Sequence, residues 1–371
     1  MVNTHDVRAA LLCGGRGERM GRLTDAVCKP MVPYAGACRL VDFSVANVVR
    51  SGISEMVVMS QHLENDLIDH LLRRWDGRAG LHVHLGPYEA LSQNSDRSGG
   101  LPPDLTLPAR PAERGTADAL ATNAEWLFAG DCRDLLILHA DHVYSFDYTP
   151  MLRAHRDTAA DVTIGVQRIE RRFVKLFGMV DVDQDQRVRR LVEKPAEPTS
   201  DLIFTAFCLF RADVLQKVLD VLSRRGDDGW RHDISRDVLP YMIAEGFRVQ
   251  AFPVSGYWAD IGTVERYLLG HLDLIRSPAD LPLADIPLTL PGARPRLVTQ
   301  EGVITSAPLP DRAHVRESVL CPGSTLEPGA RVERSIVLPG ARVGAGVELL
   351  DTVALAGEHV TQPRSGLATL G

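Results

Sequence analysis

Between Leu11 and Pro30 the chain sets Gly14, Gly15, Gly17 and Gly21 among Arg16, Arg19, Arg22 and Lys29, directly behind an apolar run. Glycine lets backbone N–H groups come close to an anion and the cations neutralise it, so the stretch reads as a loop that wraps a polyphosphate. Its spacing is neither G-x-x-x-x-G-K-[ST] nor G-x-G-x-x-G, so neither common nucleotide loop accounts for it. Far along the chain, Asp141 closes the continuous apolar run DLLILHAD (134–141). His82 and His84 alternate on one face of an extended stretch, as a metal pair would, but the sequence offers no evident third ligand. His142 is expected to be structural, because it follows Asp141 and points to the other side of an extended chain.

A loop of this kind needs a sheet to hold it. VRAALLC (7–13) suits a buried first strand, and EMVVMS (55–60) a second. Between them, RLVDFSVANVVRSGI (39–53) carries Val41, Val45, Val48 and Val49 at helical spacing and ends at Ser51-Gly52. LENDLIDHLLRRW (63–75) is a second helix, and the stretches 134–141, 162–169, 177–183, 188–195 and 202–210 read as further strands. Strands alternating with helices imply an α/β fold with a mostly parallel sheet covered on both faces. Ligands of such sheets sit beyond the carboxyl ends of the strands, where the glycine loop and Asp141 would both lie.

Composition shifts near residue 280, where SPADLPLADIPLTLPGARPR reads as a linker. Beyond it Leu320, Leu326, Val332 and Leu338 recur every six residues, and Val337, Val343, Leu349 and Leu355 repeat the pattern. With Pro-Gly pairs at the turns, this is the signature of a small parallel β-helix. The expected organisation is a catalytic domain over 1–278, a linker over 279–300 and the β-helix over 301–371. With 45% apolar and 24% charged residues among 371, the chain reads as globular, and a net charge of −7 argues against a nucleic-acid partner. Six scattered cysteines without a C-x-x-C pair read as free thiols. With no signal-peptide pattern and no run of transmembrane length, a cytoplasmic location without membrane attachment is expected.

Several segments together identify a relationship. CGGRGERM (13–20) with CKP (28–30) is similar to the GGRGTRL…KP signature of the sugar-1-phosphate nucleotidylyltransferases, and within them of the glucose-1-phosphate adenylyltransferases. RLVDFSVANVVRSGI, RGTADAL (114–120), ADHVYSFDY (140–148), FGMVDVD (177–183), VEKP (192–195), HDISRDVLP (232–240) and GYWADIGT (256–263) follow in the family's order. The resemblance spans roughly residues 7 to 275. It implies a Rossmann-like domain followed by a left-handed parallel β-helix, and assembly as a homo-oligomer, dimer or tetramer, through that β-helix. The implied reaction is attack by the phosphate of a sugar 1-phosphate on the α-phosphorus of a nucleoside triphosphate, assisted by Mg²⁺, with loss of pyrophosphate. ATP and a glucose-type hexose 1-phosphate are the expected substrates.

The resemblance also implies roles. Gly14, Gly15 and Gly17 contact the triphosphate, while Arg16, Arg19 and Lys29 offset the charge building on pyrophosphate. Gln61, Gly115 and Thr116 are nucleotide contacts, with Asp118 organising their loop. Asp141 and Asp260 are the hard oxygen ligands that magnesium prefers. Glu193, Lys194, Phe204, Asp233 and Trp258 line the sugar-phosphate side.

The departures from the family fall at specificity and regulatory positions. Ala112, with Glu113 beside it, stands where relatives carry an aromatic residue, which weakens the expectation of adenine. FTAFCLF (204–210) replaces S-x-G-I-Y-x-F, putting Phe204 and Ala206 at the serine and glycine positions. Ala26 and Val27 stand where bacterial relatives place basic residues for anionic activators. A specialised relative acting on a valienol-type cyclitol 1-phosphate with ATP or GTP is therefore the alternative. A non-catalytic regulatory paralogue is a further one, against which the retained Arg16, Arg19, Lys29, Asp141, Lys194 and Asp260 argue.

Overall fold

In the computed structural model, which describes residues 2–89, 101, 107, 111–226, 229–368 and 370, the apolar runs become strands and the amphipathic stretches helices. β1 (Val7–Leu12) leads through the glycine loop to α1 (Leu40–Arg50), β2 (Glu55–Met59), α2 (Glu64–Arg74) and the short β3 (His82–His84). Next come α3 (Thr116–Thr122), β4 (Asp134–His139), β5 (His142–Tyr144), α4 (Thr149–Asp157) and β6 (Val162–Arg168). Then follow β7 (Gly178–Val182), β8 (Val188–Glu193), β9 (Leu202–Arg211), α5 (Ala212–Ser223), β10 (Val249–Pro253), β11 (Trp258–Asp260) and α6 (Val264–Arg276).

A nine-stranded sheet runs β8–β7–β9–β4–β1–β2–β3, with β6 beside β9 and β10 beside β6. Only β8 and β9 run against the other strands, so the sheet is mostly parallel. Side chains alternate along β1: Ala9 and Leu11 join α1, α2 and α4 in one core, while Ala10 and Leu12 join α3 and α5 in another. Leu12 pairs with both Met59 and His139, which brings the ends of β1, β2 and β4 to one edge, where the loop bearing Gly14 begins.

β9 is irregular where it matters for the site. Phe204 pairs with Val166 and Cys208 with Ile164, so four residues of β9 span two of β6. Ala206 takes φ +60° inside that bulge. An L-residue there carries about 1–2 kcal/mol of strain that a glycine would avoid, so the methyl group is held in place against a local cost.

The C-terminal region is β-rich. Parallel ladders link Val319 to Ile336 and Val353, Val315 to Val332 and Leu349, and Leu326 to Val343 and Val360. The coil therefore advances 17 residues per turn rather than three full sixes, which is the offset between the two apolar ladders of the sequence. Ser318, Ser335 and Thr352 stack at the same interval: the Ser335 and Thr352 N–H groups donate to the hydroxyl one coil before, each at 3.1 Å. Arg296–Val298, inside the stretch read as linker, forms a strand antiparallel to Val303–Thr305. One face of this region packs on the first, with Ile304, Val319, Ile336 and Val353 in a cluster shared with Tyr34, Leu40 and Tyr267.

Asp42 ties these parts together. Fully buried on α1, it accepts from His70 Nε2 (2.7 Å), Trp75 Nε1 (2.7 Å), the Arg39 N–H (2.7 Å) and the Thr289 hydroxyl. Burial pushes its carboxyl up, but the bonds from His70, Thr289 and the Arg39 N–H outweigh that and hold it below its ordinary value. The stability it confers is thus present above about pH 4 and lost as pH falls below that. Asp42→Ala orphans the donors and is expected to cost about 3–5 kcal/mol, read from denaturant midpoints at pH 7. The mutant's loss should shrink at pH 3; a pH-independent difference would refute the assignment.

No helix among the described residues is long and apolar enough to cross a membrane, and the six cysteines are free thiols.

Candidate active site

Two cavities meet at Asp141. The first, about 290 Å³, lies between the glycine loop after β1 and the 113–116 segment that opens α3. The second, about 550 Å³, lies over β9 between the 175–178 and 193–194 segments and β11. Asp141, His139 and Thr116 line both.

Gly14, Gly15, Lys29, Gln61, Gly115 and Thr116 come together in the first cavity. Lys29 is buried there and donates to Asp141 Oδ2 at 2.5 Å. Burial would raise the Asp141 carboxyl, yet the Lys29 charge, with His142 and His139, outweighs it and holds the group far below the usual carboxylate range. His139 is pushed down to about 4 by burial first and by His142 second, so its ring is neutral at pH 7. The loop's other cations go elsewhere. Arg19 opens onto the second cavity, while Arg16 is exposed and lines neither. Gly17, in the left-handed conformation at φ +72°, turns the chain there and leaves room for Lys29, whose Cβ lies 3.0 Å from where a side chain would begin.

Gln61, an expected nucleotide contact, and Asp118, expected to organise the loop, both bond to the protein itself. Gln61 accepts from the Glu113 N–H at 2.8 Å and donates to the Pro111 carbonyl at 2.9 Å, so both ends of its amide hold the 111–113 backbone. Asp118 lines neither cavity, as its carboxylate accepts from the Arg114 N–H (2.9 Å) and guanidinium. Organising the loop, rather than touching a ligand, is what its geometry does.

The second cavity gathers Glu193, Lys194, Phe204, Asp233, Trp258 and Asp260. Phe204, Ala206 and Cys208 all face it, as strand alternation requires, while Thr205 and Phe207 turn to the opposite side against Gly165. Asp233 is held as a cap by the Ser235 and Arg236 N–H groups, and Thr116 Oγ1 reaches its other oxygen at 3.4 Å. Pairing of Asp260 with His142 across β11 and β5 brings Asp141 near. Asp141, His142 and Asp260 each offer a ligand atom, all within 4.8 Å of one another. His142 therefore does not point away: it lines the cavity, because β5 turns immediately after Asp141.

Three side chains of the two cavities are not singled out by the sequence: Arg266, Lys175 and His139. Arg266, on the first turn of α6, donates to Asp260 Oδ2 at 2.6 Å and lies over the Phe177 ring. Its signal was the capping Thr263 three residues ahead, which starts a helix just past Asp260. Lys175 adds a cation to the second cavity, and His139 lies between the two. At β3, Glu89 supplies the third ligating group beside His82 and His84 that the sequence did not show. There His84 shares a hydrogen bond with Glu55 and His82 faces Asp76 at 3.6 Å, and none of the four lines either cavity.

A glycine-lined, lysine-bearing cavity joined at one aspartate to a second, cation-bearing cavity suits a reaction between two phosphate-bearing substrates. The chain belongs to the nucleotidyl transferase family, whose model matches residues 8–277. Within that family it is a sugar-1-phosphate nucleotidylyltransferase, as its relatives are. It is 46% identical over 329 residues to a valienol-1-phosphate guanylyltransferase of Streptomyces hygroscopicus subsp. limoneus, covering 86% of this chain and 87% of that one. A glucose-1-phosphate adenylyltransferase of Thermomicrobium roseum is 37% identical over 284 residues, covering 76% of this chain and 62% of its own. Another, of Bacillus anthracis, is 31% identical over 330 residues, with 87% and 84% covered.

Proposed function

We propose that this enzyme joins a nucleoside triphosphate to the 1-phosphate of an unsaturated cyclitol of the valienol type, releasing pyrophosphate. The observation that carries this is the wall formed by Phe204, Ala206 and Cys208 over the second cavity. A phenyl ring cannot hydrogen-bond a sugar hydroxyl, and a buried hydroxyl left unpaired costs about 1–3 kcal/mol. A carbocycle with an apolar edge avoids that cost and gains contact with the ring. The relative at 46% identity is named for this acceptor. Transfer from ATP to glucose 1-phosphate is the second reading, favoured by the names of the adenylyltransferase relatives.

The two cavities divide the work. Gly14, Gly15 and Lys29 bind the triphosphate, and Lys194 and Lys175 bind the acceptor's phosphate, with Glu193 and Asp233 toward its hydroxyls. Arg19 screens the repulsion between the two anions. Asp141 and Asp260 suit Mg²⁺, since two carboxylates converge with a ring nitrogen at a point already flanked by cations. When bound there, Mg²⁺ supplies charge neutralisation at the reacting phosphates. We read the C-terminal coils as a left-handed β-helix through which copies assemble.

A pyrophosphate-release assay crossing nucleoside triphosphates with valienol 1-phosphate and glucose 1-phosphate tests the reading, with the cyclitol expected to give the higher kcat/KM. Phe204→Ser should then raise the glucose to cyclitol ratio by about tenfold, as 1.4 kcal/mol implies. An unchanged ratio with a lowered melting point would make Phe204 a core residue only.

A further inference from the structure

Among the described residues Asp141, His139 and Thr116 line both cavities, and two of these side chains are already committed. The Asp141 carboxylate holds Lys29 at 2.5 Å, while the Thr116 hydroxyl accepts from the Ile234 N–H at 2.9 Å and reaches Asp233 at 3.4 Å. The His139 ring makes no hydrogen bond among the described residues, and it is partly exposed. Its support is firm. Alternation along β4 puts His139 on the face of Leu135 and Ile137, toward α3, in register with Leu12 of the first cavity. Ser44 on α1 donates to the His139 carbonyl at 2.8 Å, and the ring stacks on that of His142, with centroids 5.5 Å apart. The carboxylates of Asp141, Asp233 and Asp260 all act on it, so the ring also stands among the groups of the second cavity.

We infer that His139 is a catalytic residue of the transfer, donating a ring N–H to a non-bridging oxygen of the α-phosphoryl group under attack. This rests on the transfer taking place where the two cavities meet, and it holds whichever substrate occupies each. In that step a phosphate oxygen of the acceptor bonds to the α-phosphorus. The bond from that phosphorus to the leaving oxygen breaks, and pyrophosphate departs with the electron pair. No proton moves to or from His139. Charge in the transition state is spread over the oxygens of the group in transfer, and a donor already fixed there stabilises it without reorganising. An imidazole keeps at least one N–H in either charge state, so the role does not depend on its protonation. Lys29 and Arg19 do not replace it, because each lines one cavity alone.

His139→Met and His139→Gln separate this role from packing, since the two new side chains match in length and only the amide can donate. Pyrophosphate release is measured with the nucleotide and acceptor that the wild type turns over fastest. Failure of the cyclitol reading then shows in that choice and leaves the comparison intact. His139→Met is expected to lose about 10²-fold in kcat, the cost of removing one such donor, with the KM of each substrate within about threefold of wild type. His139→Gln should recover roughly tenfold of that loss at a similar melting point. Equal kcat for the two variants would overturn the assignment, because a packing defect falls on both. A loss confined to the KM of one substrate would overturn it too, by placing the ring in that substrate's site alone. So would recovery of His139→Met at raised magnesium, which would make the ring a metal ligand instead.

Discussion

Asp141→Asn is expected to lower kcat by about 10³-fold at saturating magnesium, with the fold retained. The size follows from the residue's place: it lines both cavities, and its ligand atom lies within 4.8 Å of those of His142 and Asp260. Charge neutralisation at reacting phosphates is worth several kcal/mol, and about 4 kcal/mol is 10³-fold. The amide can still accept from Lys29, so the hydrogen bond persists while the charge pairing is lost. Melting should therefore shift modestly and turnover greatly. Asp260→Asn should act in the same direction and less, since Arg266 rather than the lysine of the first cavity compensates it. An Asp141→Asn enzyme with near wild-type turnover would remove Asp141 from the metal and phosphate chemistry.

The elements legible in the sequence were those whose signal is local. An apolar run ending in glycines gives β1, and valines at helical spacing give α1; both lie within a residue or two of their expected ends. The second ladder, offset from the first by 17, carried the true length of a coil, but a six-residue reading rounds it to 18. What stayed hidden was set by pairing at long range. His142 looks turned away if the strand containing Asp141 runs straight on, yet the chain turns after Asp141 and β5 pairs with β11 instead. Arg266 and Glu89 meet their partners only through tertiary geometry. Motif matching marks Gln61 and Asp118 as belonging to one loop region, but it does not show that Gln61 bonds the 111–113 backbone or that Asp118 holds Arg114.

Gly115→Ala is expected to reduce kcat/KM by about 10²–10³-fold, raising KM for both substrates. The reason is steric rather than conformational, because Gly115 sits in extended backbone that any residue adopts. A Cβ there would stand 2.3 Å from the His232 carbonyl oxygen and 2.9 Å from its carbon, both backbone atoms of a neighbouring segment. That segment cannot rotate aside as a flexible side chain would. It is pinned by the Ala117 N–H on the His232 carbonyl at 2.9 Å and by the Ile234 N–H on Thr116 Oγ1 at 2.9 Å. Relief must come from separating the 113–116 segment from the 231–235 segment by the better part of an ångström. The first carries Glu113 and Thr116 into the first cavity, and the second carries Asp233 into the second. One methyl group thus moves both substrates' contacts, and about 1 Å of misplacement is enough to lose 10²-fold. Overpacking itself should cost only about 1–3 kcal/mol of stability. Steady-state kinetics beside a denaturation curve checks this, and a variant affected in the KM of one substrate alone would show that the two walls move independently.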